Sequence, residues 1–205
     1  IPVVATANDK AVEALGAGLP PGKTALVSLG TYIGGMVYGE KNVKDAKTFF
    51  TNLASIPHHY LYESGGIRQG MWTVSWFRNL FGEDVVKKAR LQGTSPEEVL
   101  NREAQKVAAG SDGLMTVPEL LAPPEKPFKK GIMIGFNGRH TRAHMHRSIL
   151  EAIALTMKNH VDAMCRELDI ELEQIIVSGG GSSGELFMQI FSDVFGIPAV
   201  RNVVN

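Results

Sequence analysis

The sequence predicts an α/β domain in which a mixed sheet is flanked by helices. Three observations support this fold class: a strand–turn–helix unit at 174–196, a long periodic helix at 141–168, and alternating strand and helix patterns over the rest of the chain. With 205 residues, of which 44% are hydrophobic and 20% charged, the chain can bury a sizeable core. We therefore expect one domain built around one sheet.

The balance of positive and negative residues limits the kinds of binding partner that we expect. Lysine and arginine total 21, as do aspartate and glutamate, so no net field favours nucleic acid, an anionic membrane or an acidic protein. Cys165 is the single cysteine, so an internal disulfide framework is excluded and a cytoplasmic location is expected. No apolar run approaches the length of a membrane span. We expect neither nucleic acid nor a membrane among the partners.

The beginning of the chain predicts a strand followed by a helix. Ile1 starts inside an apolar run without an initiator methionine, which suggests a piece of a longer protein. Ile1–Ala5 is strand-like, and Asn8–Gly18 is typical of a short helix, with Asp9 at the junction. An acidic residue in a first helical turn often only complements the helix dipole, worth under about 1 kcal/mol. The position of Asp9 after a strand end gives it functional interest.

A hairpin follows this helix. Leu19–Thr24 resembles the end of a phosphate-binding P-loop, but position 17 holds alanine where the motif needs glycine, and a strand follows where it needs a helix. Thr24–Ser28 and Tyr32–Tyr38 predict two strands with Gly30 and Thr31 at the tip between them. Such a tip can offer a hydroxyl and backbone N–H groups to a phosphate, although most turns of this kind bind nothing.

The middle of the chain predicts short strands and several helices. Strands are expected at Thr48–Leu53, His59–Tyr62, Gly110–Glu119 (buried) and Gly131–Gly135, and helices at Gln69–Phe81, Glu83–Leu91, Pro96–Ala108 and Thr141–Leu168. His58 and His59 would face opposite ways in a strand. His140 and His144 have helical i, i+4 spacing but no acidic residue between them and no evident third ligand. We predict no metal site on this chain.

The unit at 174–196 carries the clearest ligand signal. The apolar run Gln174–Ser178 enters three glycines, Gly179, Gly180 and Gly181, and the chain leaves them as an amphipathic helix. The apolar stripe of that helix consists of Leu186, Phe187, Ile190, Phe191 and Val194. Ser182 and Glu185 have capping-box spacing, and Gly196 marks the helix end.

A turn without Cβ atoms lets a flat ring or a phosphate approach the backbone, and a helix N-terminus beside it offers N–H groups. The alternative is a tight turn whose glycines only satisfy positive φ angles. Three glycines in a row exceed what a turn requires, so we predict a ligand site.

The order of these motifs resembles the C-terminal domain of the FGGY carbohydrate kinases, over nearly the whole chain. The most specific segment is Gly131–Phe136, followed by seven residues and then His144–Glu151, which is similar throughout to the second signature of that family. The resemblance implies a ribonuclease-H-like (actin-like ATPase) fold. It identifies residues 1–205 as a nucleotide-binding domain whose N-terminal, sugar-binding domain is absent from this chain.

The resemblance also implies site residues. Asp9 would be the catalytic aspartate that takes the proton from the attacking hydroxyl, and Thr31, with Gly30, would face the phosphates of ATP. The turn Gly179–Gly181 would lie against adenine and ribose, and the remaining nucleotide-binding positions would be Gly70, Met71, Ser182 and Glu185. The family position before the aspartate is often glycine, and here it is Asn8.

The activity implied by the resemblance is ATP-dependent phosphorylation of a sugar or polyol hydroxyl. Mg²⁺ would be a second cofactor, with ligands mainly from the N-terminal domain, which would also be a partner of this chain. A homodimer is compatible with the resemblance, and the 205 residues alone should not be a competent kinase. Two alternatives stay open: a non-catalytic, actin-like nucleotide sensor or scaffold, and a plain α/β interaction domain.

Overall fold

The structure is a computed structural model that describes residues 8–201. Its elements are, in chain order, α1 (Asp9–Gly16), β1 (Thr24–Leu29), β2 (Ile33–Gly39), β3 (Phe49–Leu53), β4 (Tyr60–Ile67), α2 (Gly70–Leu80), α3 (Gly82–Gln92), α4 (Pro96–Ala104), β5 (Met115–Val117), β6 (Ile132–Ile134), α5 (Arg142–Leu168), β7 (Gln174–Ser178), α6 (Glu185–Phe195) and β8 (Ala199–Val200). Short 3-10 turns lie at Ser111–Gly113 and Gly180–Ser183. The strand expected at Ile1–Ala5 lies outside the described residues.

The central sheet has six strands in the order β3-β4-β2-β1-β7-β8. Strand β2 is antiparallel to β1 and β4, and β3 is antiparallel to β4. Strand β7 is parallel to β1, with Ser28 opposite Ser178, and β8 is parallel to β7. The predicted mixed sheet is therefore confirmed, and the two parallel strands β1 and β7 end side by side.

Helices cover both faces of this sheet. Helix α1 lies over a small apolar cluster that includes Ala11, Leu26 and Met36. The larger core lies on the opposite face, where α5 crosses β2 and β4. Because β1 is buried along its whole length, its sequence is almost continuously apolar rather than alternating.

Helix α5 confirms the predicted long core helix. Its buried stripe recurs every three or four residues and includes Ile149, Ile153, Met157, Val161 and Met164. A Cβ added at Gly35 of β2 would lie 2.4 Å from a methyl carbon of Val161. The missing side chain at Gly35 therefore lets the helix pack directly on the strand backbone.

The prediction of a buried strand at 110–119 is wrong. Residues 110–119 do not form a buried strand: the four residues from Gly110 to Gly113 all have positive φ, and the short strand β5 that follows pairs with β6 in a separate two-stranded sheet. Met115 is 63% exposed, so the apolar pattern did not indicate burial. The strand expected at His59–Tyr62 is present as β4, which begins one residue later, and His58 has a φ of 63° in the turn between β3 and β4.

Helix boundaries differ modestly from expectation, since α4 ends at Ala104 rather than at position 108. Within residues 8–201, no helix combines the length and apolar character needed to cross a bilayer.

Candidate functional site

The two predicted glycine turns lie next to each other at the carboxyl ends of β1 and β7. Leu29, the last residue of β1, is the point of contact between them. A Cβ added at Gly179 would lie 2.7 Å from the carbonyl oxygen of Leu29, and one added at Gly181 would lie 2.8 Å from a methyl carbon of the Leu29 side chain. The parallel pairing of β1 and β7 thus brings the glycine turn against the hairpin tip at Gly30.

The start of α2 joins the same cluster through backbone hydrogen bonds. The N–H of Gly70 donates to the carbonyl oxygen of Thr31 at 2.7 Å, and the N–H of Met71 donates to that of Gly30 at 3.1 Å. The sulfur of Met71 lies 3.0 Å from the position of a Cβ added at Gly181. The predicted nucleotide residues of the hairpin tip, of α2 and of the glycine turn are therefore brought together by the fold.

The three consecutive glycines have different roles. Gly179 has φ 86° and ψ 175°, a conformation that is essentially restricted to glycine. Gly181 is buried against Leu29 and Met71, so a side chain there has no space. An added Cβ at Gly180 meets nothing within 4 Å, and its φ is not in the left-handed range. Two glycines are thus explained by the fold, whereas Gly180 leaves an open surface above the turn.

The predicted capping box at Ser182 and Glu185 is wrong. The chain after the glycines forms a 3-10 turn, and α6 begins at Glu185 with Gly184 as its N-cap. Ser182 is fully buried, and its hydroxyl donates to the carbonyl oxygen of Gly179 at 2.8 Å. Ser182 therefore closes the turn from inside, and its hydroxyl does not cap the helix.

Glu185 lies at the outer edge of the cluster, with 78% of its side chain exposed, and is paired with Arg201. Arg201 also donates to the carbonyl oxygen of Ser182 at 2.7 Å. The rest of α6 confirms the prediction. Leu186, Phe187, Ile190 and Phe191 are buried, and the helix ends at Gly196 with φ 71°.

Asp9 is the first residue of α1 and is exposed to solvent. The side chain of Asn8 accepts a hydrogen bond from the N–H of Ala11 at 2.8 Å, which is the interaction expected of an N-cap. One carboxylate oxygen of Asp9 accepts from the N–H of Lys10 at 2.8 Å. Asn8, which departs from the glycine common in the resembling family, therefore fixes the helix start and with it the position of Asp9.

A polar network holds α1 over the ends of β1 and β7. The ammonium group of Lys10 donates to the hydroxyl of Ser28 and pairs with Glu13, both at 2.9 Å. The hydroxyl of Ser178 donates to the other carboxylate oxygen of Glu13 at 2.7 Å. Burial opposes ionisation of Glu13, but hydrogen bonds from the two serines and Lys10 outweigh it, so the pKa of Glu13 is lowered.

No motif in the sequence indicated this network. Its signal was a serine at the same register in two strands, but the parallel pairing of Ser28 with Ser178 is visible only in the fold. The consequence is that Asp9 lies one helical turn from groups anchored at the same sheet edge as the glycine turn.

A second carboxylate near Asp9 was also missed. Glu63 of β4 is half-buried and accepts a hydrogen bond from the amide of Asn52 on β3. Burial raises the pKa of Glu63, the Asn52 hydrogen bond opposes this, and Asp9 and Lys10 are close enough to contribute. A second carboxylate, that of Glu63, therefore lies on the sheet close enough to Asp9 to interact with it.

The polar residues of the segment 144–151 stabilise the fold. Glu151 accepts from the N–H of Gly110 at 3.0 Å and from the hydroxyl of Ser111 at 2.9 Å. Arg147 donates to Glu151 at 2.7 Å, and only 8% of Arg147 is exposed. Because Gly110 and Ser111 belong to the left-handed turn before β5, Glu151 holds that strained turn in place.

His146 is fully buried in the same helix. Its ring is stacked on Phe77 at 5.7 Å between ring centres, and its Nε2 lies 2.9 Å from the side-chain oxygen of Asn101. Burial lowers the pKa of His146 to about 4, so the ring is neutral at physiological pH.

This burial predicts a loss of stability in mild acid. The unfolded His146, with an ordinary pKa of 6.5, takes up a proton that the folded residue with a pKa of about 4 does not. The stabilisation is therefore present above pH 6.5 and is lost as the pH falls toward 4, by about 2 kcal/mol between pH 7 and pH 5. Urea unfolding of wild type and His146→Gln at pH 7, 6 and 5 measures it. The variant should have a shallower pH dependence, and equal slopes would contradict this origin.

His140 and His144 lie together at the start of α5, with ring centres 5.3 Å apart. Nε2 of His144 is 3.3 Å from a carboxylate oxygen of Asp112. Across the part of the chain that the structure describes, no group of three or more His, Cys, Asp or Glu side chains could hold a metal ion.

The chain is similar in sequence to known proteins of one family. Residues 25–203 match the FGGY family of carbohydrate kinases, C-terminal domain. The uncharacterized sugar kinase YgcE of Escherichia coli strain K12 is 51% identical over 205 residues, which is all of this chain and 42% of that protein. Gluconokinase of Bacillus subtilis strain 168 is 28% identical, over 95% of this chain and 38% of that protein. The chain thus spans about two fifths of the length of these relatives.

Solved structures show the same fold. The crystal structure of xylulose kinase from Rhodospirillum rubrum superposes with a TM-score of 0.80 and 26% identity, covering 95% of this chain and 38% of that chain. Plasmodium falciparum glycerol kinase with ADP gives a TM-score of 0.75 at 22% identity, covering 94% of this chain and 38% of that chain. These likenesses confirm the predicted actin-like ATPase fold. Together with the match over residues 25–203, they show that the chain belongs to the FGGY family of carbohydrate kinases.

Proposed function

We propose that this chain is the nucleotide-binding, C-terminal domain of an ATP-dependent kinase that phosphorylates a hydroxyl of a sugar or polyol. One observation carries the proposal: the bare turn Gly179–Gly181 and the tip at Gly30 and Thr31 meet at the carboxyl ends of two parallel strands. Ligands of open α/β sheets bind at this end of the strands. Membership of a carbohydrate kinase family supports phosphoryl transfer as the chemistry.

The residues of the glycine turn and of the hairpin tip fit a bound nucleotide. Gly180 leaves an open surface where the flat ring of a base or a ribose can approach the backbone. Gly30 and Thr31 lie at the other side of the turn, where a hairpin tip presents backbone and hydroxyl groups to phosphates.

Asp9 is the general base of the proposal. Phosphoryl transfer depends mainly on positioning and charge neutralisation, together with a group that accepts the proton of the nucleophile. The carboxylate of Asp9 takes the proton of the substrate hydroxyl as its oxygen bonds to the γ-phosphorus, and the bond from that phosphorus to the bridging oxygen of ADP breaks. Asp9 is exposed and fixed at a helix start, as an accessible base must be.

We propose that Mg²⁺ binds together with the phosphates of ATP. The fit to a protein-only metal site fails, because residues 8–201 contain no cluster of three or more candidate ligand side chains. Magnesium commonly keeps one or two carboxylates together with substrate phosphates. We assign its remaining ligands, and the sugar contacts, to an N-terminal domain, since this chain spans 42% of a relative that it matches at 51% identity.

We further propose that the 205 residues alone are inactive, that the enzyme works in the cytoplasm, and that a homodimer is compatible with its architecture.

The proposal is tested by measuring the ATP-dependent release of ADP by the two-domain protein. The compounds offered are xylulose, gluconate, glycerol and related polyols. We expect release with at least one compound and none from the 205-residue chain. Binding of ATP without ADP release from the whole panel would favour a nucleotide sensor instead.

A further inference from the structure

Asn101 of α4 reaches the far end of the glycine turn. Its side-chain nitrogen lies 2.9 Å from the position that a Cβ on Gly184 would occupy. Gly184 is the N-cap of α6 and follows the 3-10 turn Gly180–Ser183. The absence of a side chain at Gly184 therefore makes room for the amide of Asn101, which is only partly buried.

His146 fixes the orientation of that amide. The ring nitrogen Nε2 of His146 lies 2.9 Å from Oδ1 of Asn101, and the other ring nitrogen is buried without a partner in the described structure. A neutral imidazole carries one N–H. If the amide were reversed, that N–H would be on the unpaired nitrogen, leaving a buried donor unsatisfied at a cost of about 1–3 kcal/mol. The N–H of His146 therefore points to Oδ1, and the two amide N–H donors of Asn101 point toward Gly184.

The turn has two ends with different neighbours. Its first residue, Gly179, contacts Leu29 beside the tip at Thr31, whereas its last residue, Gly184, contacts Asn101. A ligand that lies along the turn over Gly180 therefore has one end near Thr31 and the other near Asn101. With the phosphates at Thr31, the base is at Asn101.

We propose that Asn101 binds the purine base of the nucleotide by donating a hydrogen bond from its amide nitrogen to an acceptor nitrogen of the ring. The inference rests on the proposed function, because it assumes that a nucleotide occupies the turn. Asn101 lies on α4, whereas the glycines lie in the turn before α6. Its contact to Gly184 spans 83 positions of the chain, so no motif in the sequence indicated it.

The test compares a ligand that has a base with one that has none. ATP and inorganic tripolyphosphate, each with Mg²⁺, are titrated into the two-domain protein as wild type, Asn101→Leu and Gly180→Val. Leucine has the shape of asparagine without its donors. We expect Asn101→Leu to weaken ATP binding by about tenfold and to change tripolyphosphate binding by less than about twofold. Gly180→Val should weaken ATP far more strongly.

The outcomes of this test distinguish the role of Asn101 from the proposed function. Equal weakening of both ligands by Asn101→Leu would show that Asn101 only supports the turn, and unchanged ATP binding would show no base contact; either overturns the inference while the proposed function stands. A wild type that binds no ATP contradicts the proposed function and this inference with it. If the leucine variant does not fold, Asn101→Asp retains the acceptor for His146. Asn79→Asp, which adds the same charge at an exposed site of α2, is its control.

Discussion

Replacing Asp9 with asparagine is expected to lower the turnover of the two-domain enzyme by roughly 10²- to 10⁴-fold and to leave ATP affinity almost unchanged. The reason is that asparagine keeps the shape of the side chain and an acceptor for the N–H of Lys10, but cannot take the proton of the attacking hydroxyl. Because Asp9 is exposed and its carboxylate makes only a local hydrogen bond within residues 8–201, the fold should not depend on its charge.

Asp193→Asn is the matched control. Asp193 is an exposed residue of α6 that accepts a hydrogen bond from Gln189, and its replacement removes the same charge without touching the site. Turnover and ATP affinity of the control should equal those of wild type. Unchanged turnover in Asp9→Asn would remove Asp9 from the mechanism, and an equal loss in both variants would point to a general effect of charge.

The sheet and its helices could be predicted because apolar spacing reports directly on which side of an element is buried. The stripe of α5 and the strand β7 were predicted almost to the residue for this reason, as were the buried stripe and the end of α6. The apolar pattern gave a wrong prediction where the backbone conformation determines the local structure. The left-handed run at 110–113 depends on a hydrogen-bonded clamp from Glu151, which lies about 40 residues away.

The individual turns of the candidate site could be predicted, but their mutual arrangement could not. Glycine-rich turns and an acidic residue after a strand are local features that the sequence displays. The pairing of β1 with β7, which places Leu29 against Gly179, and the hydrogen bond from Gly70 to Thr31 join segments that are far apart in the chain. The side-chain partners of Asn101 and Ser178 could not be predicted for the same reason, because they lie far from these residues in the sequence.

The second large predicted effect is that of a substitution in the glycine turn. Gly180→Val is expected to reduce ATP affinity by at least about 10²-fold without a loss of stability, because an added Cβ meets no protein atom within 4 Å and the side chain would extend over the surface where the ligand would lie. Gly179→Ala should instead destabilise the fold by roughly 3 kcal/mol or more, since its backbone conformation excludes an L side chain. The carbonyl oxygen of Leu29 would also lie 2.7 Å from its Cβ.

Gly82→Val is the control for Gly180→Val. Gly82, at the start of α3, likewise has open space around an added Cβ and a φ outside the left-handed range. Thermal unfolding should rank Gly180→Val and Gly82→Val together near wild type and Gly179→Ala well below them. A Gly180→Val variant that unfolds as readily as Gly179→Ala would show that all three glycines serve the fold.

Calorimetric titration of the two-domain protein with ATP and Mg²⁺, as wild type, Gly180→Val and Gly82→Val, tests the central claim most directly. The claim is that the joined turns at the ends of β1 and β7 form the nucleotide site. It predicts saturable binding to wild type and Gly82→Val, displaced by ADP, and no measurable binding to folded Gly180→Val. Equal ATP affinity in all three proteins would place the nucleotide elsewhere and contradict the claim.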